Sequence, residues 1–227
     1  MDLFLSKCRN PNGGLWHLYK DSKASINSYL EDYCFTIEAL VACAASPDER
    51  WLTEARALAE HAIRHFRDPA SGTFHFTSDL DPALIARPTE LHDNVIPASN
   101  SSMAKGLYQL GLLFDDERYL RMSTDLLATI APRMKGYPSG HSNWAQLMLA
   151  HTFPYAEIAI TGKEALSLRS GFAPHYLPNR QFLGSSTTSA LPLLKDKFFQ
   201  ASTIFVCVEK ACQLPVTSVD EALKLIP

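Results

Sequence analysis

The strongest constraint in this sequence is a repeat. Trp51, Leu52, Ala55 and Leu58 fall on one stripe of a helical period, and Tyr119, Leu120, Ser123 and Leu126 reproduce the stripe with the same spacing further along. Each copy follows another helical pattern. Residues 29–45 place Tyr33, Ile37, Leu40, Val41 and Ala44 at three- and four-residue steps. Ser46, Pro47 and Asp48 break that run, and a second helix is expected over 49–66. In the second copy, helices are expected over 99–113 and 117–130 around a turn at 114–116, and a third inner-type helix over 142–151. Such helix pairs bury their apolar faces by stacking into an open solenoid or by closing into a ring with one helix of each pair inside.

Between the pairs, a turn cluster at 68–72 leads into residues 73–77, whose aromatic and β-branched content predicts a short strand. Beyond residue 154 the texture changes. Strand-like runs occupy 155–161, 180–184 and 202–208, a brief helix is expected over 164–170, and a capped terminal helix over 218–225. Strand, helix, strand and a further strand predict a small, mostly parallel sheet packed on the last helices. Two units are therefore expected, 1–154 helical and 155–227 a βαβ-type appendage.

Composition narrows the function classes. The net charge is −3, the pI about 6.2, and no Lys/Arg run exceeds two, which argues against a nucleic-acid partner. With 46% hydrophobic and 20% charged residues, a core can form. No stretch approaches the ~18 apolar residues of a membrane span and the first residues lack a signal-peptide core, so no membrane partner and a cytoplasmic location are expected. The five cysteines are odd in number and unevenly spread, which fits reduced thiols, with Cys207 buried and inert. The sequence has no Gly-rich phosphate loop and no His/Cys/carboxylate set with ligand spacing, so neither a cofactor nor a metal is expected.

In a ring, the N-terminal ends of the inner helices converge on one mouth. Here those places are polar and aromatic: Glu31, Asp32 and Tyr33, then 90–94 leading to 97–100, then 140–144. At these segments the sequence resembles a known family. Residues 30–33, the helix beginning at Trp51, the D-x-x-x-P-x-S-N block at 93–100 and the V-C-x-x-x-x-C-x-x-P tail at 206–215 match, in order, the C-terminal part of the spermatogenesis-associated, thioredoxin-domain-containing proteins and their bacterial relatives. The resemblance implies a thioredoxin-like domain followed by an α/α toroid similar to six-hairpin glycosidases and N-acylglucosamine 2-epimerases. This chain has no C-x-x-C pair and too few hairpins for six, so it resembles the C-terminal portion of a longer family member. The expected fold class is mainly α, helical hairpins forming part of an α/α toroid, with the small α/β appendage. An open arc exposes apolar flanks, so self-association or missing N-terminal domains are expected to cover them.

Paired carboxylates at a sugar-sized cleft act as general acid and base, and Asp32, Glu90 and Asp93 are the candidates. Capping of a first helical turn is the alternative for each, more so for Asp32, whereas the cluster at 90–94 is denser than capping requires. His92 and His141 are candidates for proton exchange beside a carbonyl, the role histidines have in similar epimerases, with backbone hydrogen bonding in a loop as the alternative. Tyr33 and Trp144 offer flat faces for a sugar ring, unless both are core residues. Asn94, Ser99, Asn100 and Asn143 are the candidate partners for hydroxyls, with Ser99 and Asn100 also suited to capping the helix that follows. Two readings follow: a carbohydrate-binding or carbohydrate-active cleft for a sugar or similar small molecule, or a non-catalytic scaffold supporting a thioredoxin-like domain. A redox role for Cys207 and Cys212 is a third.

Overall fold

A computed structural model describes residues 1–83 and 85–227. Among them the chain forms a helix-rich body with a small α/β part. A short helix α1 (Asp2–Cys8) leads to a hairpin of β1 (Trp16–Lys20) and β2 (Lys23–Asn27), paired antiparallel. Asp21 and Ser22 join the strands with φ of 50° and 60°, the double positive φ that matches a two-residue turn to strand twist. The body follows: α2 (Leu30–Cys43), α3 (Arg50–Phe66), α4 (Ser99–Phe114), α5 (Glu117–Met134), a 3-10 turn (Pro138–His141) and α6 (Ser142–Thr152). All five predicted helices are present.

Their contacts fix the directions. Cys34 of α2 donates its S–H to the Ser99 carbonyl at the start of α4, and Lys105 reaches Glu38, further along in each helix. Asn143 of α6 contacts Ser101, and Tyr108 bonds the Ala150 carbonyl. Thus α2, α4 and α6 run parallel with α4 in the middle. Its buried Ser101, Ser102, Ala104 and Gly106 let the neighbours approach. Outside them, α3 and α5 return antiparallel and are joined by Glu60, which accepts from Arg118 and Tyr119.

The small part holds β3 (Ala156–Thr161), α7 (Ala165–Gly171), β4 (Arg180–Ser185), β5 (Thr203–Val208), β6 (Ala211–Cys212) and α8 (Val219–Leu223). Strand β3 is buried along its whole length. On one side Ala159, Leu183 and Phe205 enter the core shared with α2–α6, and on the other Ile158, Phe182 and Val206 pack with Ala165, Phe172 and Ala222 of the last helices.

Three expectations change. The sheet, in order β4-β3-β5-β6, has one parallel pairing and two antiparallel ones, so it is not mostly parallel. A helix carries the chain back between β3 and β4, whereas the β4–β5 connection has none and β5 returns in the opposite direction. Residues 73–77 make no strand beyond a bridge between Arg67 and Phe74, because the Asn100 side chain takes both backbone groups of Phe74, at 2.8 Å each. Finally, Cys207 and Cys212 are not reduced but form a disulfide. The Glu209–Lys210 turn, positive in φ at both residues, makes the two cysteines register partners. Cys207 is buried as expected, and Cys8, Cys34 and Cys43 are free thiols. No helix among the described residues is long and apolar enough to cross a membrane.

Candidate functional site

Because α2, α4 and α6 are parallel, their N-terminal ends share one side of the body. Asp93 ties two of them. Its backbone N–H donates to the Gly140 carbonyl at 2.8 Å, bringing the loop before α4 onto the loop before α6. Its buried carboxylate accepts from Ala98 N at 2.9 Å, from the Ser101 hydroxyl at 2.8 Å and from Asn143 N at 2.8 Å. One carboxylate thereby satisfies orphan N–H groups at the starts of two helices. Asn143 extends the network through its amide to Ser101 and Ser102, at 2.9 and 3.4 Å.

At the start of α2, Asp32 accepts from the Tyr29 backbone N–H at 2.9 Å and from His17 Nδ1 at 2.9 Å. This is a first-turn cap with a histidine added from the β1–β2 hairpin. The neighbouring Glu31 has its carboxyl raised above the ordinary range, by burial first and then by the charges of Asp32 and Glu90. The Phe76 carbonyl accepts from Leu30 N at 2.9 Å and the Phe76 N–H donates to the Pro88 carbonyl at 2.7 Å, so the segment leading to Glu90 is tied to the start of α2 and the three helix starts converge. Glu90, His92 and Asn94 are exposed there.

His141 is 1% exposed; its Nδ1–H donates to the Tyr137 carbonyl at 2.7 Å, and its ring meets that of His92 edge-on at 5.0 Å between centroids. Its Nε2 is buried without a hydrogen-bond partner among the described residues, as is the hydroxyl of Ser99. With Nδ1–H spent on a carbonyl, Nε2 of the neutral ring is an acceptor.

The remaining expected site residues lie in the core. Trp144 is fully buried, its Nε1–H on the Leu91 carbonyl at 2.8 Å, and Tyr33 is fully buried, its hydroxyl accepting from Leu15 N at 3.0 Å while its ring stacks on His61. Burial pushes the Tyr33 hydroxyl up to about 12. Neither ring offers a face to a ligand. Asn100 is spent on Phe74, as described above. The structure thus groups Asp32, Glu90, Asp93, His92, Asn94 and His141 around the helix starts and adds His17, Glu31 and Tyr137. Glu31 was legible as a second first-turn acid; His17 needed the hairpin, which the sequence pattern did not reveal. No cluster of three or more His, Cys, Asp or Glu residues among those described is placed to hold a metal ion.

Fold and site together define a helical-hairpin body with a polar cluster at its parallel helix starts and a small α/β part. The chain is similar to spermatogenesis-associated protein 20 of Homo sapiens and of Rattus norvegicus, each 25% identical over 212 residues, which are 87% of this chain and 27% of theirs. The similarity supports a relation to that family, in agreement with the sequence resemblance. The chain spans about a quarter of the length of the curated relatives it matches. No family model matches it.

Proposed function

We propose that this chain is an arc of an α/α toroid whose helix-start mouth forms one wall of a cleft for a neutral, polyhydroxylated small molecule of the sugar class. The observation that carries this reading is the convergence of three parallel helix N-termini on a surface holding Glu31, Glu90, His92 and Asn94, beside the buried His141 Nε2 that has no partner among the described residues. Carboxylates and amides at helix starts make paired hydrogen bonds to vicinal hydroxyls. Chemistry at this wall would fall to Glu31 and Glu90 with His92 and His141, because Asp32 and Asp93 are already spent as caps.

That same use of Asp32 and Asp93 favours the second reading, a non-catalytic scaffold within a longer protein. The exposed Ile85, Val95 and Ile96, on the connection between α3 and α4, suit burial against further domains or a second copy. Calorimetric titration of the chain with hexoses and N-acetylhexosamines, beside Glu90→Gln, separates the two. Saturable binding weakened about tenfold by the exposed substitution supports the cleft; no binding to the folded chain supports the scaffold.

A further inference from the structure

The opposite half of the helical body carries an independent feature. Where the later turns of α4 and α6 meet the small α/β part, two adjoining hollows of about 610 and 240 Å³ share Lys105, Gln109 and Arg180. The larger is walled by Tyr108, Tyr155 and Leu177, and the smaller reaches Arg169 of α7. Their combined volume is in the range that holds a metabolite.

The charges in this seam do not balance. Lys105, Arg169 and Arg180 face it, and the carboxylate beside them, Glu38, lies 3.5 Å from Lys105. Among the described residues neither arginine forms an ion pair, and the Nε of each is buried without a hydrogen-bond partner. Both guanidiniums lie over Phe182, at 4.0 and 5.4 Å from its ring centroid. Cation–π contact stabilises such groups by roughly 1 kcal/mol but neutralises nothing. Burial pushes both arginines down from their ordinary range, and Arg180 adds its repulsion to Arg169. The C-terminal end of α2, close by at Ala45, supplies only about half a negative charge.

We propose that this seam binds a phosphorylated small molecule, its phosphate held by Arg169, Arg180 and Lys105 and its organic body lying against Tyr108, Tyr155 and Leu177. Three cations less Glu38 leave two positive charges. A phosphomonoester carries about −1.5 to −2 near neutral pH and fits, whereas a carboxylate leaves one cation unmatched. Guanidinium forks suit phosphate oxygens, and no Gly-rich loop is needed.

The test is calorimetric titration of the whole chain with phenyl phosphate, benzoate and phenol, using wild type, Arg169→Gln, Arg180→Gln and Glu90→Gln, with circular dichroism to confirm that each is folded. Phenyl phosphate is expected to bind saturably and more tightly than benzoate, with phenol not binding. Either arginine substitution is expected to weaken it about tenfold or more, and Glu90→Gln to leave it unchanged, which separates this seam from the helix-start mouth. The proposal is overturned by absence of saturable binding, by equal affinity in folded Arg169→Gln and Arg180→Gln, or by benzoate or phenol binding as tightly as phenyl phosphate.

Discussion

Asp93 serves the starts of two helices at once, so its removal leaves the Ala98 and Asn143 N–H groups without an acceptor in a buried setting, while the Ser101 hydroxyl keeps only the Ala98 carbonyl. Asp93→Ala is expected to cost about 3 kcal/mol in urea unfolding, with a smaller loss for Asp93→Asn, which keeps one acceptor. A loss under about 1 kcal/mol for the alanine variant contradicts the role assigned here. His61 carries a second residue-scale consequence. Burial, then the charges of His65 and Arg9, pushes its imidazole down to about 4. The unfolded chain, near 6.5, therefore binds the proton first as pH falls. His61 thus contributes stability that is fully present above about pH 6.5 and is lost as the pH falls toward 4, on the order of 2–3 kcal/mol over that window. His61→Phe is expected to show a flatter dependence of unfolding free energy on pH in that window; an unchanged slope contradicts the assignment. Gly14 belongs to this cluster, since a Cβ there would lie 2.5 Å from the Tyr33 hydroxyl and 2.8 Å from His61 Nε2.

Among the elements, the helices of the body were legible because each carries an apolar stripe that only a 3.6-residue period explains. The β1–β2 hairpin was not, because β1 is exposed along most of its length and shows no alternation to read. Residues 73–77 look like a strand locally but have no strand beside them, and the Asn100 amide that replaces one comes from 26 residues away in sequence. The same distance effect hid the duties of Asp93 and Asn143, whose partners lie 50 residues apart. Convergence of the helix starts was readable from the repeat; the commitment of individual side chains to backbone groups was not. At the β5–β6 turn, the disulfide yields a direct prediction. Alkylation of the denatured, unreduced chain is expected to label Cys8, Cys34 and Cys43, with Cys207 and Cys212 added after reduction. Labelling of all five without reductant contradicts the pairing. In the native chain Cys34 is expected to stay unlabelled, since burial holds its thiol well above the usual range.

For the whole molecule, the parallel α2, α4 and α6 and the oppositely directed α3 and α5 leave the body with two distinct ends. The starts of α2, α4 and α6 gather carboxylates and histidines, whereas the later turns of α4 and α6 meet the α/β part across a cationic seam. The small sheet, buried on both faces, joins the helical core to the last helices. Whether the three helix starts form one recognition surface is tested by amide chemical-shift mapping of the chain during titration with a hexose or N-acetylhexosamine. Saturable shifts are expected at Glu31, Glu90, His92, Asn94, His141 and their neighbours alone, contributed by all three helix starts together. Shifts at only one helix start, shifts centred elsewhere on the chain, or none at saturating sugar would contradict this expectation.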